Sequence, residues 1–308
     1  MLRPKLGVSA CLLGERVRYD GGHRRDRWLV DVLGRHVEWV PVCPEMEIGL
    51  GVPRPTIELR RRGRGVRLVE PSSGRDLTTA MRTWADARLG ALGSAGLDGF
   101  VLKARSPSCG MWGVAVRGPR GGETRNGRGR FAAALMAALP RLAIEEDEGL
   151  HDSGRRAAFC ERIFASGRLR ALWASRWRTD DLRAFHLQHI WQLAAYGGRR
   201  VQALTCLAAE AVDADRERVR VLYTHGFTAA MARPVTAATR LKWLRGAATA
   251  LTEGRVARAR AALRSLIDWY AAGDATLDAV RRALRRAAAD TLFAAQTLLA
   301  PYPGRLDR

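Results

Sequence analysis

The chain has 308 residues, enough for two domains of ordinary size, and its 52 Lys and Arg outnumber 31 Asp and Glu, giving a formal net charge of +21 at pH 7. That excess is large for an enzyme of small anions and favours a polyanionic partner such as RNA or DNA. The sequence shows neither a secretory signal nor an apolar run of the roughly 18 residues that span a bilayer, so we expect no membrane partner. Its five scattered cysteines argue against a disulfide framework. We therefore expect a protein of the reducing cytoplasm.

Strand-like and helix-like segments alternate in the first half of the chain. Helical patterns cover 76–96 and 131–139. Short apolar segments, which predict strands, lie at 5–10, 36–42, 99–104, 113–118 and 142–148. Such alternation favours an α/β domain with a mostly parallel, Rossmann-like sheet. The arginine-rich stretch 59–67 predicts a mobile basic loop, either a phosphate contact or plain solvated surface.

The second half contains no convincing strand and is typical of helices with arginine-rich faces. One apolar helical stripe is predicted near the C-terminus, made of Leu277, Val280, Leu284, Ala288, Leu292 and Leu299. We therefore expect an all-α domain over 151–308 after an α/β domain over 1–150, with an acidic, glycine-containing linker at 145–154. Each basic face alone is typical of solvated surface, but together, in a half with a net charge of +13, they favour RNA or DNA.

Three cysteines, Cys11, Cys43 and Cys109, lie just beyond the carboxyl ends of predicted strands. In a parallel sheet those ends share one edge, where open α/β folds bind their ligands, so the three thiols can converge. Their proline and glycine neighbours argue against core packing and predict an exposed Cys109. Convergent thiols in a reducing compartment indicate a metal site, either zinc or iron–sulfur, although a free cysteine is more often a small buried apolar residue.

Other chemistry-bearing residues fall in helical patterns. Cys160 and Cys206 are expected in the core. His186 and His189, three residues apart, are expected to pack between helices or contact RNA rather than bind a metal. The tryptophans of WASRWR (173–178) could stack on unpaired bases, but a place in the helix core is more usual for them.

Three separated stretches of the chain resemble a known family. The signature blocks of the thiouracil desulfidase (TudS) family are similar to GVSACLLGERVRYDGGHR, VPVCPEMEIGLGVPRP and VLKARSPSCG, and the resemblance covers roughly residues 4–148. The remainder resembles the helical domain fused to it in the tRNA 4-thiouridine desulfidases (RudS), through AFHLQHI, LIDWYAAGDATL and AAQTLLAPYPGRL. Ile190 stands where that pattern tends to have a lysine.

The resemblance implies a cofactor and a reaction. The cofactor is a 4Fe-4S cluster held by Cys11, Cys43 and Cys109, with one iron left open. The reaction is hydrolytic, non-redox removal of sulfur from a thiolated uracil, whose soft thiocarbonyl sulfur suits an iron Lewis acid. On the same basis Glu45 is the candidate to activate water, and Ser106 is the candidate to relay a proton or to hydrogen-bond the substrate ring. A solvated loop carboxylate and a Ser-Pro turn are the alternative interpretations.

Five further residues are candidates for the substrate-binding site. They are Ser9, Tyr19, Asp20, Lys103 and Ser108. Lys103 could offset cluster charge, bind phosphate or merely reach solvent.

These patterns leave several functions open. The leading hypothesis is a tRNA desulfidase that converts 4-thiouridine to uridine, because a folded RNA needs a basic second domain and a free base does not. A desulfidase of free thiouracils or thio-nucleotides is the first alternative. A non-catalytic iron–sulfur sensor that binds nucleic acid is another, and a zinc protein is the most distant. No particular oligomeric state is predicted.

Overall fold

The computed structural model describes residues 3–198, 200–233, 235–253, 257–304 and 306. The chain divides into two compact units, Met1–Phe159 and Cys160–Arg308. None of the described helices combines the length and the hydropathy that crossing a membrane would require. The first unit is an α/β fold and the second is helical, which confirms the predicted fold class.

The first unit has the following strands and helices in chain order. The described strands are β1 (Lys5–Ser9), β2 (Glu38–Val42), β3 (Glu58–Arg62), β4 (Gly65–Val69), β5 (Gly99–Leu102), β6 (Val114–Arg117), β7 (Glu123–Gly127) and β8 (Ala143–Glu146). The α-helices are α1 (Pro44–Glu47), α2 (Thr78–Ser94) and α3 (Arg130–Ala138). The sequence therefore predicted five of these strands and both long helices.

A four-stranded parallel sheet in the order β2-β1-β5-β8 forms the centre of the unit. Leu6 and Val8 of β1 are fully buried, as expected for a parallel strand that is covered on both faces. Between them Gly7 lies against the Phe100 ring, since a Cβ there would be 2.1 Å from Phe100 Cδ2. Phe131 of α3 packs edge-on against Phe100 with their ring centroids 5.8 Å apart.

The second sheet, in the order β4-β3-β6-β7, was not predicted. Its β3–β4 hairpin replaces the mobile loop expected over 59–67, and the predicted strand 113–118 joins this sheet rather than the parallel one. Leu59 and Leu68 are fully buried on one face of the hairpin. The three arginines of β3 follow Leu59 consecutively and are half-buried or exposed, so a run of charge conceals the buried position of this strand.

The segment predicted as an acidic linker, 145–154, is folded. It contains the end of β8, a short helical turn at Glu148–His151 and the start of α4 (Ser153–Ala174), inside which the two units divide. Arg155 donates to Glu145 Oε1 at 2.6 Å and through its backbone N–H to Asp152 Oδ1 at 2.8 Å. The linker prediction was wrong because these acidic residues have partners within the fold.

The second unit continues α4 and contains six further described α-helices. They are α5 (Thr179–Gly197), α6 (Arg200–Ala209), α7 (Arg216–Met231), α8 (Ala237–Thr252), α9 (Ala257–Ala272) and α10 (Leu277–Ala288). Helix α10 ends at Ala288, with Val280 and Leu284 buried. The predicted single helix was wrong beyond Ala288: Leu292 is 97% exposed, whereas Leu299 lies in a separate helical turn and is buried in the same cluster as Val280 and Leu284.

The cysteines of the helical unit differ. Cys160 is fully buried in α4, as its pattern predicts. Cys206 is exposed, which contradicts the core prediction. Leu204 and Ala208 turn the other side of α6 inward, and a residue midway between two positions four apart lies on the opposite face of the helix.

Candidate metal centre

The three candidate cysteines lie beyond the carboxyl ends of three adjacent parallel strands. Cys11 is in the short helical turn after β1, and Cys43 directly follows β2 and precedes α1. Cys109 belongs to the loop after β5. All three line one cavity of about 450 Å³. The edge of the sheet therefore brings together side chains that are as far as 98 positions apart in the sequence.

Cys109 is 95% buried, which corrects the prediction of an exposed thiol. Its loop is folded back on itself, because Gly110 donates to Ser106 O at 2.8 Å and the Cys109 N–H donates to Ser106 Oγ at 3.1 Å. Phe131, at the start of α3, donates its N–H to Ser108 O at 3.0 Å. Proline and glycine indicated a turn correctly, but the turn is packed beneath a helix.

Burial makes the neutral form of each thiol more stable. It raises the pKa of Cys109, against a lowering by a hydrogen bond from Ser9. Burial, followed by the charge of Cys43, raises the pKa of Cys11 to about 11. Burial also raises the pKa of Cys43, and the N–H of Met46 opposes it. Three thiols that disfavour negative charge in one cavity are a donor set that a cationic metal group would deprotonate and stabilise.

The donor set suits a cluster of several irons. Its three soft sulfur atoms come from three separate loops and face one cavity, as is required when each cysteine binds a different iron. Among the described residues, no group of three or more His, Cys, Asp or Glu side chains is arranged to hold a single metal ion. The soft sulfur atoms of Cys11, Cys43 and Cys109 are compatible in donor chemistry with an iron–sulfur group.

Glu45 lies in the same cavity on α1, and a buried arginine holds its carboxylate. Arg54 donates to Glu45 Oε2 from Nη2 at 2.7 Å and from Nε at 3.1 Å. It also donates to Gly51 O at 2.8 Å and to Val17 O at 2.9 Å. The side chains of Arg54 and Glu45 are only 4% and 15% exposed. One carboxylate oxygen is thus occupied, and the orientation of the other is set.

Arg54 is a site residue that the sequence did not reveal. It stands between Pro53 and Pro55, a context that indicates a stiff segment. The same context is equally typical of an exposed loop, in a chain with 52 basic residues. Only the fold brings the guanidinium next to a carboxylate nine positions away.

The second oxygen of Glu45 lies at the end of a chain of hydrogen bonds through two serines. Ser108 Oγ donates to Glu45 Oε1 at 2.7 Å, and Ser106 Oγ lies 2.9 Å from Ser108 Oγ. Ser108 Oγ is also 3.7 Å from Cys109 Sγ. The direct partner of Glu45 is thus Ser108, and Ser106 follows one hydroxyl further along the same chain of hydrogen bonds.

Three of the remaining candidates line the cavity and one does not. Ser9 Oγ is buried and accepts the backbone N–H of Lys103 at 3.0 Å, while Lys103 Nζ lies 2.8 Å from Asp147 Oδ2. Tyr19 is 39% exposed at the rim. Asp20 is outside the lining set and accepts the N–H of Gly22 at 3.0 Å. That bond, ahead of nearby arginine charge, lowers the pKa of Asp20.

The histidines of the helical unit pack between helices. His186 is hydrogen-bonded to Tyr223 Oη at 2.9 Å and to Thr205 Oγ1 at 3.0 Å. His189 Nε2 accepts from Arg168 Nε at 3.0 Å, so its Nδ1–H donates to the carbonyl of Phe185 at 2.8 Å.

Both ring nitrogens of each histidine therefore have protein partners, and neither is available to a metal. This agrees with the packing interpretation of the pair. The tryptophans of 173–178 also join the helix core, with the rings of Trp173 and Trp177 4.8 Å apart.

The fold and the site together define an α/β protein whose parallel sheet gathers three cysteines and a held glutamate around one cavity. The family model described as 2-thiouracil desulfurase matches residues 6–147, and a model of proteins of unknown function (DUF1722) matches residues 191–303. The chain is 31% identical over 148 residues to the uncharacterized protein YbbK of Bacillus subtilis (strain 168), covering 46% of this chain and 95% of that protein. The chain belongs to the 2-thiouracil desulfurase family.

A solved structure is also similar to part of the chain. It is that of the 4Fe-4S-dependent thiouracil desulfidase TudS, which is 34% identical. The match covers 48% of this chain and 94% of the TudS chain, with a TM-score of 0.39.

Proposed function

We propose that this protein is an iron–sulfur-dependent desulfidase that converts 4-thiouridine in tRNA to uridine. The observation that carries the proposal is the 2.7 Å hydrogen bond between Ser108 and Glu45 Oε1, in the cavity that Cys11, Cys43 and Cys109 line. It joins a carboxylate, a hydroxyl and three soft ligands in one enclosed space. Such a combination supports hydrolysis of a carbon–sulfur bond at a metal.

The proposed cofactor is a 4Fe-4S cluster bound by Cys11, Cys43 and Cys109. Three cysteines leave one iron of such a cluster without a protein ligand, and an open iron supplies a Lewis acid for the soft sulfur of a thiocarbonyl. The buried setting of the thiols supports this assignment, because their neutral forms are favoured unless a cation compensates them.

The residues of the chain supply the proton chemistry. Glu45 Oε1 accepts the two protons of the attacking water one after the other, and the oxygen of that water becomes the new carbonyl oxygen of uracil. Ser108 and Ser106 form the hydrogen-bonded path along which both protons reach the departing sulfur. Thiolated uracil and water thus give uracil and hydrogen sulfide, with no net oxidation or reduction. Arg54 holds the Glu45 carboxylate in place during the transfer.

The proposed substrate class rests on charge. The net charge of +21 would stabilise a complex with a polyanion through many phosphate contacts. Arg282, Arg285 and Arg286 are exposed on α10, as are arginines on neighbouring helices. A protein whose thiols stay reduced, acting on tRNA, is expected in the cytoplasm.

One observation favours a second candidate, a desulfidase of free thiouracils or thio-nucleotides. Every residue of the proposed chemistry lines a single cavity of about 450 Å³ within the first unit, which is within the usual size range for a small-molecule site. Comparing the kcat/KM for free 4-thiouracil with that for thiolated tRNA separates the two candidates.

The test is anaerobic reconstitution with iron and sulfide, followed by incubation with tRNA that carries 4-thiouridine. We expect about four irons per chain, loss of 4-thiouridine by chromatography, appearance of uridine and release of one sulfide per nucleoside. Binding of the tRNA should weaken steeply with salt, by about 0.7–0.9 log units per phosphate contact for each tenfold rise.

Cys109→Ala and Cys206→Ala form a matched pair of variants. Both remove one thiol, but Cys206 is exposed on a helix of the second unit and is not one of the residues that line the cavity. We expect Cys109→Ala to lose iron and activity and Cys206→Ala to keep both. A cluster-loaded wild type that leaves every thiolated substrate intact would overturn the proposal.

A further inference from the structure

A second cavity in the first unit lies beside the loop that carries Cys109. Its volume is about 530 Å³, and its walls include Met111, Trp112, Asn126, Arg128 and Arg130. None of the described residues that line it is acidic. It is thus a concave, aromatic and positively charged surface, separate from the set of residues that surrounds the cysteines.

Trp112 gives this cavity an accessible aromatic ring. Half of the side chain is exposed, at 50%. The guanidinium of Arg128 lies 4.6 Å from the ring centroid, and Arg128 Nε donates to Met111 O at 3.1 Å. The arginine therefore braces the ring while much of its surface stays free. Every nucleobase has a flat face that can stack on such a ring.

Arg130 contributes a positive charge to the wall of the cavity. Arg130 Nε is buried and has no hydrogen-bond partner among the described residues. Burial, and then the charge of Arg67, lowers the pKa of Arg130, while the more weakly acting Asp76 opposes this. An anion beside the Arg130 guanidinium would supply the missing hydrogen-bond acceptor.

The cavity is coupled by backbone to the proposed active site. Gly129 donates to Gly110 O at 2.7 Å and Arg130 donates its N–H to Pro107 O at 3.1 Å. Trp112 is three residues from Cys109, so their Cα atoms are at most about 11 Å apart. That span corresponds to about three stacked nucleotides at 3.4 Å each.

We propose that this cavity is a nucleotide subsite, in which Trp112 stacks on an unpaired base of RNA and Arg130 binds its phosphate. The inference rests on the proposed function, because it assigns to that RNA substrate a second contact near the thiolated base. An unpaired nucleotide is required, since a base within a duplex has no free face. The positive charge and the aromatic ring together favour RNA over an uncharged partner.

The test measures binding of a short, unmodified single-stranded RNA and of an unmodified tRNA to the reconstituted full chain, by fluorescence anisotropy at several salt concentrations. We expect Trp112→Ala to weaken binding about 5-fold to 150-fold, the range for loss of one base stack, and Trp112→Phe to keep most of it. Trp269→Ala is the matched control, because Trp269 is 57% exposed in the helical unit. Circular dichroism verifies that each variant is folded.

A second pair of variants tests the phosphate contact. Arg130→Ala should lower the slope of log affinity against log salt by about 0.7–0.9, the amount for one phosphate. Arg120→Ala removes the same charge from an exposed position outside the cavity and should leave the Trp112-dependent part of binding intact. The substitution Trp112→Ala should lower kcat/KM for thiolated tRNA by a larger factor than it lowers kcat/KM for free 4-thiouridine.

Equal RNA affinities for folded Trp112→Ala and the wild type would overturn the subsite, whatever the enzyme does to thiolated substrates. A wild type that releases no sulfide from any substrate would refute the desulfidase proposal instead. In that case the Trp112-dependent binding of unmodified RNA still decides whether the subsite exists, so the two failures are distinguishable.

Discussion

Each unit of the protein encloses a group of polar side chains, but the two groups are organised differently. In the first unit, three thiols, Glu45 and Ser108 face a cavity of about 450 Å³. In the helical unit, the polar groups are buried against one another. Both oxygens of Glu161 are bonded, one to Arg281 and the other to Tyr196 Oη at 2.5 Å.

Whether a polar group faces a cavity or another buried polar group distinguishes functional residues from structural ones better than the residue type does. A histidine pair or a buried glutamate attracts attention in a sequence, yet in the helical unit such groups satisfy each other and stabilise the contacts between helices. In the first unit, Glu45 keeps one oxygen directed to a hydroxyl at the cavity. A polar group that still faces a space large enough for a ligand is the better candidate for function.

The largest effect is expected from a substitution of Glu45 in the cavity of the first unit. Glu45→Gln keeps the shape of the side chain but cannot accept a proton as a carboxylate does. We expect kcat for desulfuration to fall by about 10²–10⁴-fold, the usual contribution of a general base, with the iron content unchanged. Steady-state kinetics with iron quantification measures both.

The control for that variant is Glu148→Gln. Glu148 lines the same cavity but is 41% exposed and paired with Arg105 at 2.7 Å. Comparable losses in the two variants would mean that negative charge at the cavity matters and that the position of Glu45 does not.

The next largest effect is expected from a substitution of Glu161 among the buried polar side chains of the helical unit. Glu161→Gln leaves Arg281 buried without its countercharge, so the free energy of unfolding should fall by about 3–5 kcal/mol, as measured by urea denaturation of the full chain. Glu217→Gln is the control, because its pair with Arg220 is at the surface, and we expect no measurable change. A stable Glu161→Gln protein that no longer binds tRNA would instead assign this group to function.

A smaller effect sharpens the role of Arg54 as a positioning residue. Arg54→Ala releases one oxygen of Glu45, and we expect kcat to fall roughly 10- to 100-fold with KM little changed, because a displaced base transfers protons less well. Arg54→Lys should restore part of the loss, since one charged donor returns.

Arg25→Ala is the control for that pair of variants. Arg25 binds Asp31 at 2.6 Å on the surface, so its loss should leave kcat unchanged. Loss of iron in proportion to activity in Arg54→Lys would show that Arg54 supports the fold of the site and not the orientation of Glu45.

The smallest effect is a pH dependence of the helical unit. Burial, and then the charge of Arg168, lowers the pKa of His189 to about 3, from an ordinary value of 6.5. Between these values the unfolded chain binds more protons than the folded chain. The free energy of unfolding should therefore fall as the pH drops below 6.5, by at most about 1.4 kcal/mol per pH unit from this group, and stay level above it.

Urea denaturation between pH 4 and pH 8 measures this slope. His189→Gln should flatten it, and His225→Gln, at an exposed position of the same unit, should not. The buried neighbour His186 contributes in the same direction, because burial lowers its pKa as well. An unchanged slope in His189→Gln would mean that other groups dominate the acid sensitivity.

The sequence by itself determined the fold class and the strands that carry the cysteines. Short apolar runs such as 5–10 and 99–104, with glycine and turn residues beside them, favour buried strands over helices, and β1 and β5 lie there. The same reasoning failed for 59–67, because three consecutive arginines conceal a strand with one buried position. It failed at 145–154, because partners elsewhere bind the acidic residues.

Only the tertiary structure decided which side chains meet. The strand ends predicted that Cys11, Cys43 and Cys109 share an edge, since parallel order follows from the alternation of strands and helices. The contact of Ser108 with Glu45, and the hold of Arg54 on that carboxylate, have no signature in spacing. Local sequence sets backbone preferences over a few residues, whereas such contacts depend on how distant loops pack across the edge of the sheet.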